Sequence, residues 1–355
     1  MSMVFFTQHA ALLRNYLHTF FTETGVRFLP AGSWGTDVSN RLGDYTSGGK
    51  LIRGALVALG YRIAGSGTAE NGSFPDKVLA VGAAMELLQS AFLVHDDIMD
   101  QDTLRRGKPA IHWQYCKHGE QLGVADPLHY GEAMGICAGD VAFFLAVELL
   151  SRPGIPQELM NYCAREVAAV GLAQMQDVTF GSTSSTPAED ELIRLYTWKT
   201  GRYSFSMPLA LGSLLAGANP ALVSQLEKIG QEMGIAFQMR DDELGIFGDE
   251  EELGKPVGSD IREGKKTLLI CLASERLEPQ DRQRMHAILG NSRATGEDIA
   301  ELRTLIETCG ARSELTQRMD DACSNASSGI KGLDCTADCR SILSNLLDFV
   351  VSRRK

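Results

Sequence analysis

What most constrains this chain is the rhythm of its apolar residues. Between clusters of Gly, Pro, Ser and Asn run segments of roughly 12–30 residues rich in Ala, Leu, Met, Glu and Gln, all good helix formers. The breaks fall at 65–67, 71–75, 153–156, 181–187, 217–220, 248–264 and 290–296. Within 76–100, Val81, Met85, Leu88, Phe92 and Met99 recur at threes, fours and one seven, a helical period. Alternating strand patterns, hairpin dipeptides between β-branched runs and solenoid-length repeats are not apparent. These signals predict an all-α fold. No linker is long or polar enough to divide it, so a single domain over 1–355 is expected, with 1–40 a helical region packed on the bundle.

Composition narrows the functional classes. With 44% hydrophobic and 22% charged residues the chain can bury a substantial core, which excludes a disordered or collagen-like protein. A formal net charge of −11 argues against nucleic acid or anionic lipid as a broad electrostatic partner. The apolar opening Val4-Phe5-Phe6 is interrupted by Gln8, His9 and Arg14, so no signal peptide is expected. No stretch approaches the ~20 apolar residues of a membrane span. Eight cysteines lack any C-x-x-C pair, and Cys335 and Cys339 have no His at ligand spacing, so ordinary thiols are expected. The reading is a reduced cytoplasmic protein.

The carboxylates are less evenly spread than solubility requires. Segment 76–100 ends in His95-Asp96-Asp97-Ile98-Met99-Asp100. Asp96 and Asp100 fall about 40° apart on one helix face, a turn apart. Two like charges there oppose the helix, all the more at its negative C-terminal end, and a cation between them reverses that penalty. Paired carboxylates suit a hard ion such as magnesium, which takes one or two of them together with phosphate oxygens. Leu88, Gln89 and Phe92 adjoin the acids, so this face looks inward. Arg105-Arg106-Gly107-Lys108 follow at once, a cluster fit for phosphate. The plain alternative is a solvated acidic helix end.

A second acidic pair, Asp241-Asp242, closes a helical segment after Phe237-Gln238. Gln238 and Asp241 share a face, but one turn beyond Asp241 stands Gly245, which ligates nothing. The polar stretch from Gly248 to Gly264 that follows has the length and composition of a lid. Gly48-Gly49-Lys50-Leu51-Ile52-Arg53 opens a helix with two cations at i, i+3, a diphosphate-sized anion site, though without the Walker spacing. Tyr196-Thr197-Trp198-Lys199-Thr200-Gly201 carries a Lys-Thr pair inside an otherwise apolar helix. An inward Lys199 needs an anionic companion; the alternative is a snorkelling surface lysine.

In this order the residues resemble the polyprenyl synthetase family, the head-to-tail isoprenyl diphosphate synthases. The resemblance runs from Gly48 to the C-terminus. It takes in Gly49–Arg53, Gln89, Asp96–Asp100, Leu104–Ala110, Gly139-Asp140, Gln174 with Asp177, Lys199-Thr200, Phe237–Asp242 and Gly254-Lys255 through Asp260 to Lys265. The basic end Arg353-Arg354-Lys355 is similar to tails that fold over the active site in several farnesyl-type members.

What the resemblance implies is an isoprenoid synthase-type helical bundle around a central cavity, normally a homodimer, with three magnesium ions per active site. Asp96 and Asp100 match metal ligands of the first motif and Asp241 the principal ligand of the second, with Asp97 and Asp242 completing the acidic pairs. Arg105, Lys199 and Lys255 match contacts to an allylic diphosphate, with Lys265, Arg353 and Arg354 as further substrate-binding cations. Lys50, Arg53, Gln89 and Arg106 match the site for isopentenyl diphosphate. The carbonyl of Lys199, the Thr200 hydroxyl and the Gln238 amide are candidates to stabilise an allylic cation.

Product length in this family depends on how far the growing tail reaches past the first motif. Ala91 and Phe92 stand five and four residues before Asp96, where animal farnesyl-type enzymes carry two aromatics. One ring replaced by a methyl opens space, which favours geranylgeranyl diphosphate, with farnesyl diphosphate second. Two other readings compete. A class I terpene cyclase lacks the Lys50/Arg53 site and carries a different second motif. A non-catalytic subunit of a heteromeric synthase finds its only support in Gly245.

Overall fold

The computed structural model describes residues 3–65, 74–183, 186–248 and 259–353. The chain forms two compact units, Met1–Asn161 with Leu211–Asn219, and Tyr162–Ala210 with Pro220–Lys355.

In the first unit α1 (Val4–Arg27) precedes a short 3-10 turn (Leu29–Ala31), α2 (Ser33–Ser47), α3 (Ile52–Ile63) and α4 (Asp76–Met99). A two-residue antiparallel ladder follows, β1 (Leu104–Arg105) on β2 (Lys108–Pro109), and then α5 (Ile111–Leu122) and α6 (Pro127–Leu150). Helix α1 buries Phe6, Leu13, Leu17, Phe20 and Phe21 at helical spacing and packs on α2, α3 and α4, so the expected N-terminal helical region is a structural part of this unit. Helices α3 and α4 meet backbone to backbone. A Cβ on Gly54 would lie 2.9 Å from the Gly82 carbonyl oxygen, so only glycine permits the approach. Helix α6 is capped by Asp126, which accepts the His129 N–H at 3.1 Å, with Pro127 in its first turn.

The second unit takes in α7 (Gln157–Ser182) from Tyr162 on, then α8 (Glu189–Leu195) and an eleven-residue π-helix (Tyr196–Ser206). Next come α9 (Met207–Leu215), whose residues from Leu211 on belong to the first unit, and then α10 (Pro220–Phe247), α11 (Ser259–Arg262), α12 (Leu268–Arg276), α13 (Pro279–Ile288), α14 (Gly296–Thr308), α15 (Ala311–Lys331) and α16 (Ala337–Ser352). The π-helix lies directly on α10, because a Cβ at Gly234 would come 2.1 Å from the Gly201 Cα. Arg202 anchors it to α7 through two bonds to Glu166, at 2.7 and 2.8 Å.

Among the described residues the fold is all-α apart from that ladder, as the helical period predicts. One expectation is corrected: two helices, α4 and α6, are long and apolar enough to cross a bilayer by length and composition. Hydropathy within α4 reflects packing, since 72% of its most apolar window is buried in the protein; in α6 the share is 44%. All eight cysteines are free thiols.

Candidate active site

The first acidic motif sits where α4 ends. Asp100 is the C-cap residue and is exposed, and Asp96, one turn back, is half-buried. Asp97 differs from both. It is fully buried and accepts bonds from the Tyr45 hydroxyl at 2.8 Å and from Arg105 Nε at 2.6 Å. Burial pushes its carboxyl up, and the Arg105 charge and the Arg105 and Tyr45 bonds pull back. Sequence reading groups Asp97 with the metal ligands; the structure instead makes it the anchor of the arginine hairpin. Arg105 also bonds Asp102 at 3.0 Å, so its guanidinium is committed to two carboxylates of its own unit.

The hairpin turns on Arg106 and Gly107, both at positive φ (54° and 72°). A non-glycine residue there carries local strain, and a bond from the Arg106 guanidinium to the Tyr45 carbonyl (3.2 Å) helps hold it. The same guanidinium lies on Gly49, where an added Cβ would be 3.1 Å away. The loop is held from below by Arg14, which donates to the Ser47 and Gly49 carbonyls at 3.2 and 3.0 Å. Lys50 is exposed, Arg53 and Gln89 are half-buried, and Arg106 sits above the loop. Hairpin and loop also border a cavity of about 460 Å³ with Arg41, Tyr45 and Lys108. Ala91 is buried, while Phe92 meets Phe143 of α6 edge-on, ring centroids 5.1 Å apart.

In the second unit the π-helix positions Lys199 and Thr200. Lys199 is ion-paired with Asp177 of α7, the anionic companion that an inward lysine requires. The Thr200 hydroxyl donates to Gln238 Oε1 at 2.7 Å, and Gln238 Nε2 donates to Asp242 Oδ1 at 2.9 Å. Tyr196 donates its hydroxyl to the other Asp242 oxygen and accepts the Leu268 N–H at 2.7 Å. Asp242 is thus buried and doubly bonded. Burial pushes its carboxyl up to about 8; the Tyr196 and Gln238 bonds oppose, and the charges of Asp241 and Asp260 add. Like Asp97, it holds other side chains instead of facing solvent with its neighbour. Asp241 is exposed and bonded by Arg353, whose guanidinium also covers the Phe237 ring at 3.7 Å.

Gly245 has a physical reason. A Cβ built there would meet an Asp260 carboxylate oxygen at 2.0 Å, so the place of a last motif carboxylate is filled by one from α11. Lys265 pairs with Asp260 and Glu263, at 3.6 and 3.0 Å. Lys255 and Arg354, and most of the expected lid, lie outside the described residues.

Among the described residues no three His, Cys, Asp or Glu side chains converge as a ready-made metal site. Asp96 and Asp100 are a two-carboxylate donor set that suits a hard cation whose remaining ligands come from water and phosphate. Sequence reasoning gave no role to Tyr196 or Phe143 and named Asp177 and Asp260 only within the resemblance; the contacts all four make are tertiary.

An all-helical protein with acidic helix ends and clustered cations is the class that this architecture defines. The polyprenyl synthetase family model matches residues 37–306, and the chain belongs to that family. It is 33% identical over 321 residues to a short chain isoprenyl diphosphate synthase of Methanothermobacter thermautotrophicus, covering 87% of each. It is 34% identical over 269 residues to a geranylgeranyl diphosphate synthase of Sulfolobus acidocaldarius, covering 74% of each. The structure of geranylgeranyl pyrophosphate synthase from Corynebacterium glutamicum, complexed with isoprenyl diphosphate and magnesium, matches with TM-score 0.90 and 30% identity over 98% of this chain and 99% of that one.

Proposed function

We propose that this protein is a trans-prenyltransferase that condenses isopentenyl diphosphate with an allylic diphosphate and releases geranylgeranyl diphosphate. The observation that carries the reading is the end of α4, where Asp96 is half-buried and Asp100 exposed one turn apart while the buried Asp97 ties the arginine hairpin. Membership of the family and the names of its relatives support the same chemistry.

Asp96 and Asp100, and in the second unit Asp241, are the residues that would hold magnesium. When bound, the ion neutralises the charge developing on a departing diphosphate. Lys199, already matched to an anion, would exchange Asp177 for a diphosphate oxygen. The Thr200 hydroxyl spends its hydrogen on Gln238 Oε1, and Gln238 Nε2 donates to Asp242, so the Thr200 oxygen keeps its lone pairs for an allylic cation. Such a cation survives only where water is excluded and fixed dipoles replace it. Lys50, Arg53, Gln89 and Arg106 bind the second substrate's diphosphate. Its double bond attacks the cation, and released diphosphate takes the final proton.

Buried Ala91 and the Phe92–Phe143 contact support a twenty-carbon product, with farnesyl diphosphate as the alternative. The packing of Asp260 on Gly245 removes the one feature that favours a non-catalytic subunit. We also propose a homodimer, on the apolar residues that α6 leaves exposed. Purified protein with magnesium, isopentenyl diphosphate and dimethylallyl, geranyl or farnesyl diphosphate is expected to yield a twenty-carbon chain on chromatography. No prenyl product from any of the three overturns the reading. Asp96→Ala is expected to lower turnover at least ~100-fold with an unchanged circular dichroism spectrum.

A further inference from the structure

Down α4 runs a stripe of polar side chains buried from water: Glu86, Ser90 and Asp97. At i, i+4 and i+11 they fall within about 40° of one another on the helix. Asp97 holds Arg105, and Ser90 shares a bond with Thr46 at 2.8 Å while donating to the Glu86 carbonyl at 2.9 Å. The acid chemistry described above leaves Glu86 without a task, although it is only 5% exposed.

Its surroundings supply one. Glu86 Oε1 accepts the N–H of Gly54 at 2.7 Å, in the first turn of α3. Helix α3 has no cap of its own: Leu51 stands at φ 52° in the left-handed region and gives no side-chain bond. Glu86 therefore supplies from α4 the acceptor that a capping Ser or Asp supplies elsewhere. Burial pushes its carboxyl above the ordinary range, while the Arg53 charge, the Gly54 N–H and the Arg106 charge draw it back. One buried carboxylate thus ties the first turn of α3, which carries Arg53 and directly follows Lys50, two of the four residues matched to isopentenyl diphosphate.

We propose that Glu86 is a positioning residue for the isopentenyl diphosphate site, holding the start of α3, which carries Arg53 and directly follows Lys50, in place before the ligand arrives. The inference rests on the functional reading above and deepens it. A carboxylate behind a cation site acts in two opposed ways. Its charge subtracts from the potential that draws an anion, and its contacts fix long side chains that would otherwise have to be ordered on binding. Glu86 is buried, and its charge is met by the Gly54 N–H and by the charges of Arg53 and Arg106. Fixing therefore outweighs repulsion.

Glu86→Gln keeps the length and an acceptor for Gly54 but removes the charge; Glu86→Asp keeps the charge and shortens the reach. Glu86→Gln is expected to raise KM for isopentenyl diphosphate about tenfold, with kcat and KM for the allylic substrate within about twofold, and Glu86→Asp to recover part of the loss. Metal-free calorimetry with inorganic diphosphate is expected to show the same weakening. Circular dichroism and melting check that both variants fold. Unchanged or tighter diphosphate binding by Glu86→Gln, or an equal rise in both KM values, overturns the proposal. Should Glu86→Gln fail to fold, wild-type diphosphate affinity in Glu86→Asp assigns Glu86 to fold support alone and overturns it too. Wild-type protein that binds diphosphate, more weakly in Glu86→Gln, yet makes no prenyl product leaves this inference standing and overturns the enzymatic one.

Discussion

A Cβ at residue 245 would sit 2.0 Å from an Asp260 oxygen, closer than real Cβ contacts allow. Gly245→Asp, which writes the full acidic motif back into the sequence, therefore brings a clash and a like charge against Asp260. The expected result is a loss of about 2 kcal/mol in stability and lower turnover; thermal melting and steady-state rates check both, and an unshifted melt would mean that Asp260 swings clear at no cost. His9 offers a residue-scale test by pH. Its Nδ1 donates to the Phe5 carbonyl at 2.7 Å, and its other ring nitrogen is buried without a partner. Burial holds its pKa below 6.5, with Arg62 adding to the effect and the Phe5 bond opposing it. The unfolded chain takes up the proton first as pH falls, so this contribution is present above about 6.5 and is lost as pH falls through the lower folded value. A melting-temperature profile from pH 8 to 5 is expected to fall less steeply in His9→Phe.

At the scale of elements, legibility followed what local pattern can encode. Helix α4 was readable to its last turn because its apolar period and its terminal acids lie in one continuous stretch. The π-helix was not: Tyr196–Ser206 reads as ordinary helix, and its wider register accompanies a Gly201–Gly234 approach that involves a distant segment. The paired acids show the same divide. Asp96 and Asp97 look alike in sequence, yet Asp97 continues the stripe of Glu86 and Ser90 and is buried with it. That spacing was the available signal. The wall facing Phe92 was likewise unreadable, since Phe143 belongs to another helix. If their edge-on contact closes the route of the growing tail, removing either ring lengthens the product. Phe92→Ala and Phe143→Ala are each expected to shift product beyond twenty carbons, checked by chromatography, and an unchanged product distribution in both removes this pair from chain-length control.

At the scale of the whole molecule, the surface of α6 demands a partner more strongly than net charge demands solvation. Phe144 is 73% exposed, and Leu128, Ile136 and Val147 are exposed at 51%, 49% and 42%. In the other unit α7 leaves Leu172, Met175 and Val178 exposed as well. Large apolar side chains gathered along a helix mark an interface more often than a free surface. A second copy of this chain is the cover we propose, because a two-fold axis lets one apolar face bury against its own image. A bilayer is the poorer fit: α6 carries Glu132, Asp140 and Glu148, and Glu148 is bound by Arg27 at 2.6 Å. Phe144→Asp places a charge where such an interface needs a ring, and at so exposed a site it costs an isolated protomer little. It is expected to convert a dimer to a monomer in size-exclusion chromatography with light scattering while leaving the melting profile of the separated chain cooperative. A wild-type chain that runs as a monomer at micromolar concentration would instead mean that α6 keeps its apolar face uncovered, and that the dimer is not part of this protein's design.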